Sequence, residues 1–337
     1  MWLDQFPWTG QMRQVVLESP GKFAERDAPI PTAHTGHALV RIEKVGVCGS
    51  DFHAFAGRQP IYTYPRIIGH ELSGVVAEVA ANDRNIHAGD RCAIEPYMSC
   101  GKCRACAMGR NNCCENIRLF GIHVDGGMQE YLSVPIDLLH KSDRLSLDQL
   151  ALVETLGIGA HAVRRSGLKS GDEALIVGAG PIGIAVAQFA SALGARVHMV
   201  EKSEWRRSFV ERMGYDSSAS AEGRHADIVF DATGNAVAMT ASLTHVATGG
   251  SLVFVGLTRD PVCLDDVLFH RKEVTLLASR NSVGLFPQII RMIEEGKIDT
   301  SHWITDRLML SEVVSQFQNL PARQTLVKAI VDINQLN

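Results

Sequence analysis

The chain has 337 residues, 46% of them hydrophobic and 21% charged, which excludes disordered and fibrous architectures and, at about 150 residues per domain, points to two folded domains. Lysine and arginine number 33 against 37 aspartates and glutamates, a net charge of −4. No block of like charge marks a nucleic-acid or membrane-surface partner, so small-molecule chemistry is the default reading.

The opening stretch, Met1 to Gln14, carries Asp4 and lacks a basic region followed by an apolar run, so it predicts no secretory leader and a cytoplasmic protein. Short β-type runs then follow between Gly and Pro breaks: Ala38 to Val47, Gly74 to Ala80, Arg91 to Ile94 and Gln129 to Val134. They predict a compact, mostly antiparallel β domain over the first 150 residues. From Gly171 the texture changes to apolar strands alternating with helical segments: Ala174 to Val177, Pro181 to Leu193, Arg196 to Val200, Ile228 to Asp231, Ser251 to Val255 and Thr275 to Leu277. That alternation predicts α/β architecture, a parallel sheet with helices on its faces. Ala174 to Ala195 is free of charge for 22 residues, long enough for a bilayer. Gly178, Gly180, Pro181 and Gly183 near its start predict a strand, a tight turn and a helix instead, with no membrane partner. Two helix-like pieces, Gly284 to Glu295 and Ser311 to Asn319, precede a closing strand, Thr325 to Asp332. The change of pattern assigns residues 1–156 and 282–337 to the first domain and 157–281 to the second.

Four of the eight cysteines form Cys100-x₂-Cys103-x₂-Cys106-x₇-Cys114, with Cys113 beside the last. Four thiolates so close in sequence can converge tetrahedrally on Zn²⁺, leaving no coordination position for substrate, so such a metal is structural. An iron–sulfur cluster or reduced thiols are the alternatives. A second, scattered constellation comprises Cys48-Gly49-Ser50-Asp51-Phe52-His53, then Gly69-His70-Glu71, then Glu154. Cys, His and carboxylate donors suit a catalytic zinc, which needs three protein ligands and one open position. Taken singly, Cys48 is as well explained by core packing and His70 by an ordinary hydrogen-bonded histidine; the conjunction with the cysteine loop favours a metal. The third motif, Gly178-Ala179-Gly180-Pro181-Ile182-Gly183, follows an apolar strand and opens a helix, and Glu201 lies 18 residues beyond the last glycine. Glycines there let the backbone approach a pyrophosphate while the acidic residue takes ribose hydroxyls. Glu201 would repel a 2′-phosphate and so favours NAD, although Lys202, Arg206 and Arg207 leave NADP open.

Taken together the three motifs resemble the zinc-dependent alcohol dehydrogenases of the medium-chain type. Within them the chain is similar to the polyol branch of sorbitol and threonine dehydrogenases, and especially to sugar-acid members of the L-galactonate oxidoreductase type. Tyr64-Pro65-Arg66, His123 to Pro135, Asp231 to Asn235, Val253 to Leu257 and Ser279-Arg280-Asn281 carry that likeness. The resemblance implies a GroES-like, mostly-β catalytic domain and a doubly wound Rossmann domain. It also implies two zincs per subunit, a secondary alcohol of a polyol or sugar acid as substrate, and a homodimer or homotetramer paired through Pro261 to Ser279. Carried over, Cys48 and His70 become catalytic zinc ligands, Glu154 the third, and Glu71 a carboxylate able to take its place or act through water. Asp51 would accept a hydrogen bond from the His70 ring, Ser50 would take the substrate proton, and His53 would hand it to solvent. The dinucleotide would lie along Gly178, Gly180, Pro181, Ile182, Gly183, Glu201, Lys202, Arg206, Thr233, Val255, Gly256, Ser279 and Arg280. Arg58, Arg66, Arg118 and Arg280 are candidates for a substrate carboxylate, or else surface ion-pair partners. The chain departs from the family at Thr155, where polyol dehydrogenases usually have proline, at Glu201 in place of aspartate, and at Gly214 to Asp227, which leaves almost no room for a helix. Cys113 admits a one-residue shift of the last structural ligand. The competing reading keeps fold and cofactor without turnover, as a sensor or structural protein.

Overall fold

The structure is a computed structural model that describes residues 10–59 and 61–334; the reading of residues 1–9 lies outside them. Two compact units make up the chain. One runs up to Gly109 and adds Cys114–Glu154 and the residues from Ile304 onward; the other is Arg110–Cys113 with Thr155–Trp303.

In the first unit, β1 (Gln11–Ser19) and β2 (Lys22–Pro29) form an antiparallel hairpin closed at Pro20-Gly21, with Gly21 at positive φ. β3 (His37–Val47) is buried along most of its length and pairs antiparallel with both β4 (Glu71–Val79) and β8 (Tyr131–Pro135). β5 (Arg91–Ile94) joins β4, β9 (Leu139–Lys141) joins β5, and the short β6 (Tyr97–Met98) and β7 (Arg118–Leu119) pair apart from this sheet. Val15, Val40, Ile42, Val45, Leu72 and Ile94 are among the side chains of its core.

The second unit is built on six parallel strands. β10 (Glu173–Val177), β11 (Arg196–Val200), β12 (Asp216–Ser218), β13 (Ala226–Asp231), β14 (Val246–Phe254) and β15 (Thr275–Ala278) lie in the order β12-β11-β10-β13-β14-β15. That is the doubly wound order, with its switch point where β10 and β13 run side by side and their carboxyl ends open a crevice. Residues 214–227 hold β12, turns and the first two residues of β13, with no helix, as their length required.

β16 (Ile304–Met309) and β17 (Lys328–Asp332) return to the first unit, where β17 slots between β16 and β3. Residues 282–303, grouped with the β domain on sequence pattern, fold instead with the parallel-sheet unit. Helix Phe286–Glu294 buries Phe286, Ile289, Ile290 and Ile293. A Cβ at Gly157 would stand 2.9 Å from Ser282 Oγ, and Gln188 Nε2 donates to the Asp299 carbonyl at 2.6 Å. The helix therefore satisfies its apolar stripe on that unit, and the division falls at 303/304 rather than 281/282. The charge-free stretch is β10, a glycine turn and helix Pro181–Leu193; among the described residues no helix is long and apolar enough to cross a membrane.

Candidate active site

β3 ends at Val47, and Cys48 caps the helix Gly49–Phe55 that follows. Asp51, in the first turn, turns back so that its Oδ2 accepts from the Cys48 amide at 2.9 Å. On the neighbouring strand Gly69, at φ +96°, bends the chain into His70, and Glu71 opens β4 opposite Gly46 of β3. A Cβ at position 46 would lie 2.1 Å from Glu71 Oε2, so the absence of a side chain there makes room for the carboxylate. The donor atoms of Cys48, His70 and Glu71 all lie within 4.8 Å of one another. Two zinc bonds of about 2 Å each require donors about that close.

Burial makes the charges here decisive. Asp51, His70, Glu71, Glu154 and Lys328 are all 5% exposed or less, and an isolated charge so placed costs several kcal/mol. Lys328, reaching in from β17, is the cation paired with them: its Nζ donates to both Glu71 oxygens at 2.7 Å and to the Val47 carbonyl at 3.3 Å. Burial disfavours its charge, yet Glu71 and Cys48 together raise its pKa. Burial likewise works against charge on His70, but Asp51 and Cys48 pull it well above the usual imidazole range. Burial raises the carboxyl groups of Asp51 and Glu154, with His70 pulling each back. Glu154 Oε1 accepts a short hydrogen bond from the Tyr97 hydroxyl. A thiol, an imidazole and a carboxylate brought this close together are donors that a divalent cation takes, so the set of Cys48, His70 and Glu71 fits zinc.

Other atoms stand ready without protein partners. Asp51 Oδ1 lies 3.8 Å from His70 Nδ1, too far for the hydrogen bond expected from the resemblance, and both atoms are buried and unsatisfied. Ser50 Oγ and Tyr62 OH are unsatisfied as well. His53 lies on the exposed side of its helix.

Also in the first unit, Cys100, Cys103, Cys106 and Cys114 bring their sulfurs together within 4.8 Å, and Cys113 stands outside the set. Cys103 and Cys106 sulfurs are 3.5 Å apart, and the Cys100 amide donates to Cys114 Sγ at 3.2 Å. Backbone amides of Lys102 and Cys103 pull the Cys100 thiol down to about 6, and those of Cys106 and Glu115 lower Cys103. Cys106 is pushed the other way, up to about 11, by burial and its sulfur neighbours; the four converging sulfurs suit Zn²⁺ and saturate it.

In the second unit the glycine turn has the form that a pyrophosphate needs. Gly178 sits at φ +101°, and Gly180 caps helix Pro181–Leu193 with Pro181 in its first turn. A Cβ at Gly183 would fall 1.9 Å from the Gly178 carbonyl, so only glycine allows the helix this close to the turn. Glu201, at the end of β11, accepts from the Ala179 and Ser203 amides, both at 2.9 Å. Arg206 NH1 would lie 3.3 Å from a Cβ at Gly180, which places its guanidinium over the turn. Ile182 and Lys202 flank these groups in sequence. At the end of β13, Asp231 accepts from both the amide and hydroxyl of Thr233 and carries the Val255 and Gly256 amides on its carbonyl. Ser279 donates its amide to the Phe254 carbonyl, and the Arg280 carbonyl accepts from Asn112. The predicted cofactor residues thus gather at the carboxyl ends of β10, β11, β13, β14 and β15.

Of the arginines considered for a carboxylate, Arg66 is committed to Asp125 at 3.0 Å and Thr63 at 2.9 Å, and Arg58 and Arg118 are exposed. Sequence reasoning passed over Lys328, Tyr97 and Tyr62. A lone lysine inside Leu326-Val327-Lys328-Ala329-Ile330-Val331 was the available signal for the first.

Two family models match the chain: an alcohol dehydrogenase GroES-like domain over residues 34–144 and a zinc-binding dehydrogenase over 181–295. The chain is 36% identical to L-galactonate-5-dehydrogenase of Escherichia coli K12 over 335 residues, covering 95% of this chain and 98% of that protein. A zinc-binding dehydrogenase from Sinorhizobium meliloti 1021, bound to NADP, superposes with a TM-score of 0.90 at 30% identity over 96% of this chain and 99% of that one. An alcohol dehydrogenase from Escherichia coli CFT073 complexed with NADH gives 0.90 at 25% identity over 96% and 100%.

Proposed function

The chain belongs to the zinc-binding alcohol dehydrogenases of the medium-chain type, and we propose that it oxidises a secondary alcohol of a polyol or sugar acid and passes the hydride to NAD. The observation that carries this reading is the donor set of Cys48, His70 and Glu71, whose three ligand atoms lie within 4.8 Å of one another. The resemblance to L-galactonate-5-dehydrogenase supports a polyhydroxy substrate.

Cys48, His70 and a carboxylate would hold the catalytic ion. Glu71 completes the set by distance; Glu154, held by Tyr97, lies outside that set but acts on the charge of His70, after Asp51 and Cys48. Bound zinc supplies Lewis acidity, which lowers the pKa of the substrate hydroxyl into the neutral range. Ser50 Oγ then accepts the departing proton, and exposed His53 passes it to solvent. Lys328 fixes Glu71 in place through both of its oxygens. A second zinc, in the Cys100 to Cys114 loop, stabilises that lobe. In the other unit the Gly178–Gly183 turn takes the pyrophosphate and Glu201 the adenosine ribose, which favours NAD; Arg206 beside the turn is the residue through which NADP would compete.

Two copies pair, on this reading, along β15. It is one of the two outer strands of the six-stranded sheet, and Leu276 and Val267 on or near it are 39% and 75% exposed. Sedimentation of wild type and Leu276→Lys tests this: a mass that stays the same in both rules the pairing out.

Absorbance at the nicotinamide band, with NAD or NADP and a panel of polyols and aldonates, tests the chemistry. Turnover that disappears on chelation and in Cys48→Ala is expected, with two zincs per subunit in wild type and one in the variant. Full turnover in Cys48→Ala would defeat the proposal. Metal counts in Glu71→Gln and Glu154→Gln identify the third ligand.

A further inference from the structure

Tyr62 is 5% exposed, and its ring packs into the core of the first unit. Its hydroxyl is buried with no hydrogen-bond partner, a condition that costs about 1–3 kcal/mol. The other tyrosines of this neighbourhood are provided for: Tyr64 donates to the Ala54 carbonyl at 2.6 Å and Tyr97 to Glu154. Three of the groups that act on the Tyr62 phenol, Ser50, Asp51 and Cys48, belong to the active site. Ser50 is close enough to act on the phenol through its hydroxyl, yet neither hydroxyl completes a hydrogen bond; Asp51 and Cys48 also act on it. Burial and the charge on Asp51 keep the phenol neutral, so it offers one O–H and two lone pairs.

Two buried hydroxyls that stand near each other without satisfying each other are complementary to a ligand that brings two hydroxyls of its own. An anionic ligand group would meet the field of Asp51 and be repelled, whereas a neutral O–H both donates and accepts. We infer that Ser50 and Tyr62 together receive a vicinal pair of hydroxyls, Ser50 the one that reacts and Tyr62 its neighbour, so that Tyr62 is a specificity-determining residue selecting 1,2-diols over simple alcohols. The inference rests on the dehydrogenase reading above and narrows its substrate class; the carboxylate of a sugar acid would lie away from this pair.

Tyr62→Phe keeps the ring and removes only the hydroxyl. The test compares butane-2,3-diol with butan-2-ol, which differ by that one group, in zinc-loaded wild type and variant. Steady-state kcat/KM is read with NAD and NADP, and Kd by calorimetric titration without cofactor. Wild type is expected to favour the diol in both measures, and the variant to lose that preference by about tenfold or more, mainly in KM and Kd. A diol preference that stays within twofold of wild type overturns the inference. The melting temperature of the ligand-free variant supplies an independent check, because removing an unsatisfied hydroxyl should leave it unchanged or raised. A fall of several degrees means that the hydroxyl has a partner in the free protein, such as an ordered water, and overturns the assignment. If wild type oxidises no alcohol with either cofactor, the dehydrogenase reading fails and the Kd ratio alone decides on Tyr62.

Discussion

Replacing Lys328 by methionine removes the cation from the buried cluster while keeping most of the side chain's length. The structure sets the size of the effect. Lys328 and Glu71 are 2% and 1% exposed, and the ammonium makes two charge-assisted hydrogen bonds of 2.7 Å to the carboxylate. In the variant Glu71 loses that partner while Asp51 and Glu154 remain buried nearby. Breaking a buried pair from one side costs about 3–5 kcal/mol. At about 2–4 °C per kcal/mol for units of this size, melting should fall by roughly 6–20 °C. Calorimetry on chelated protein is the right assay, since no metal can then stand in for the lost charge. The paired variant Glu71→Leu/Lys328→Met removes both charges and should recover most of the loss, because two apolar groups leave nothing unsatisfied. A single variant melting within 2 °C of wild type, or a double variant no more stable than the single, would refute this account of the site.

In Gly183→Ala the new methyl would meet the Gly178 carbonyl at 1.9 Å, forcing helix and turn apart. NADH affinity by fluorescence titration should weaken roughly five- to 150-fold, from about 1–3 kcal/mol of overpacking, while both zincs stay bound; unaltered affinity would show that the turn does not hold the dinucleotide. Cys114→Ser should release one zinc and expose the 100–114 loop to protease, since structural zinc contributes folding energy directly; retention of both ions would point to Cys113 as the ligand. His161, 8% exposed, is pressed by burial and Arg164 down to about 4. Between that value and about 6.5 the unfolded chain binds the extra proton, so stability falls as pH drops through this window, by about 2 kcal/mol from pH 7.5 to 5. His161→Gln should lessen the loss of melting temperature over that range, and an identical slope in both proteins would exclude His161 as its source.

Local spacing made much of this molecule legible. The cysteine loop and the glycine turn each depend on residues near one another in sequence, and each takes the predicted form of loop or turn. Lys328 was not legible because its partner Glu71 lies 257 positions away, and no periodicity encodes a pairing of that span. Tyr62 and Tyr97 read as ordinary core aromatics; only burial without, or with, a partner for the hydroxyl tells them apart. β16 was missed because Ile304-Thr305-Asp306-Arg307-Leu308-Met309 reads as a polar connector. Only Leu308 in it is buried, while Arg307 is neutralised by Asp148 and Asp332 and Asp306 by Arg323. Helix Phe286–Glu294 was recognised but assigned to the first domain, since amphipathicity shows that a helix has an apolar face without saying against what it packs.

The position of β17 has a consequence for synthesis. The dinucleotide unit is almost continuous in sequence, so its sheet can form as soon as residues 155–303 have left the ribosome. The other unit begins earlier yet must wait, because the strand between β16 and β3, and the lysine that neutralises Glu71, are translated after everything else in that sheet. Until then an uncompensated carboxylate and an open β3 edge are held by a nascent chain. Chaperone engagement and stalling-sensitive aggregation should therefore concentrate on the half of the protein that is made first and finished last.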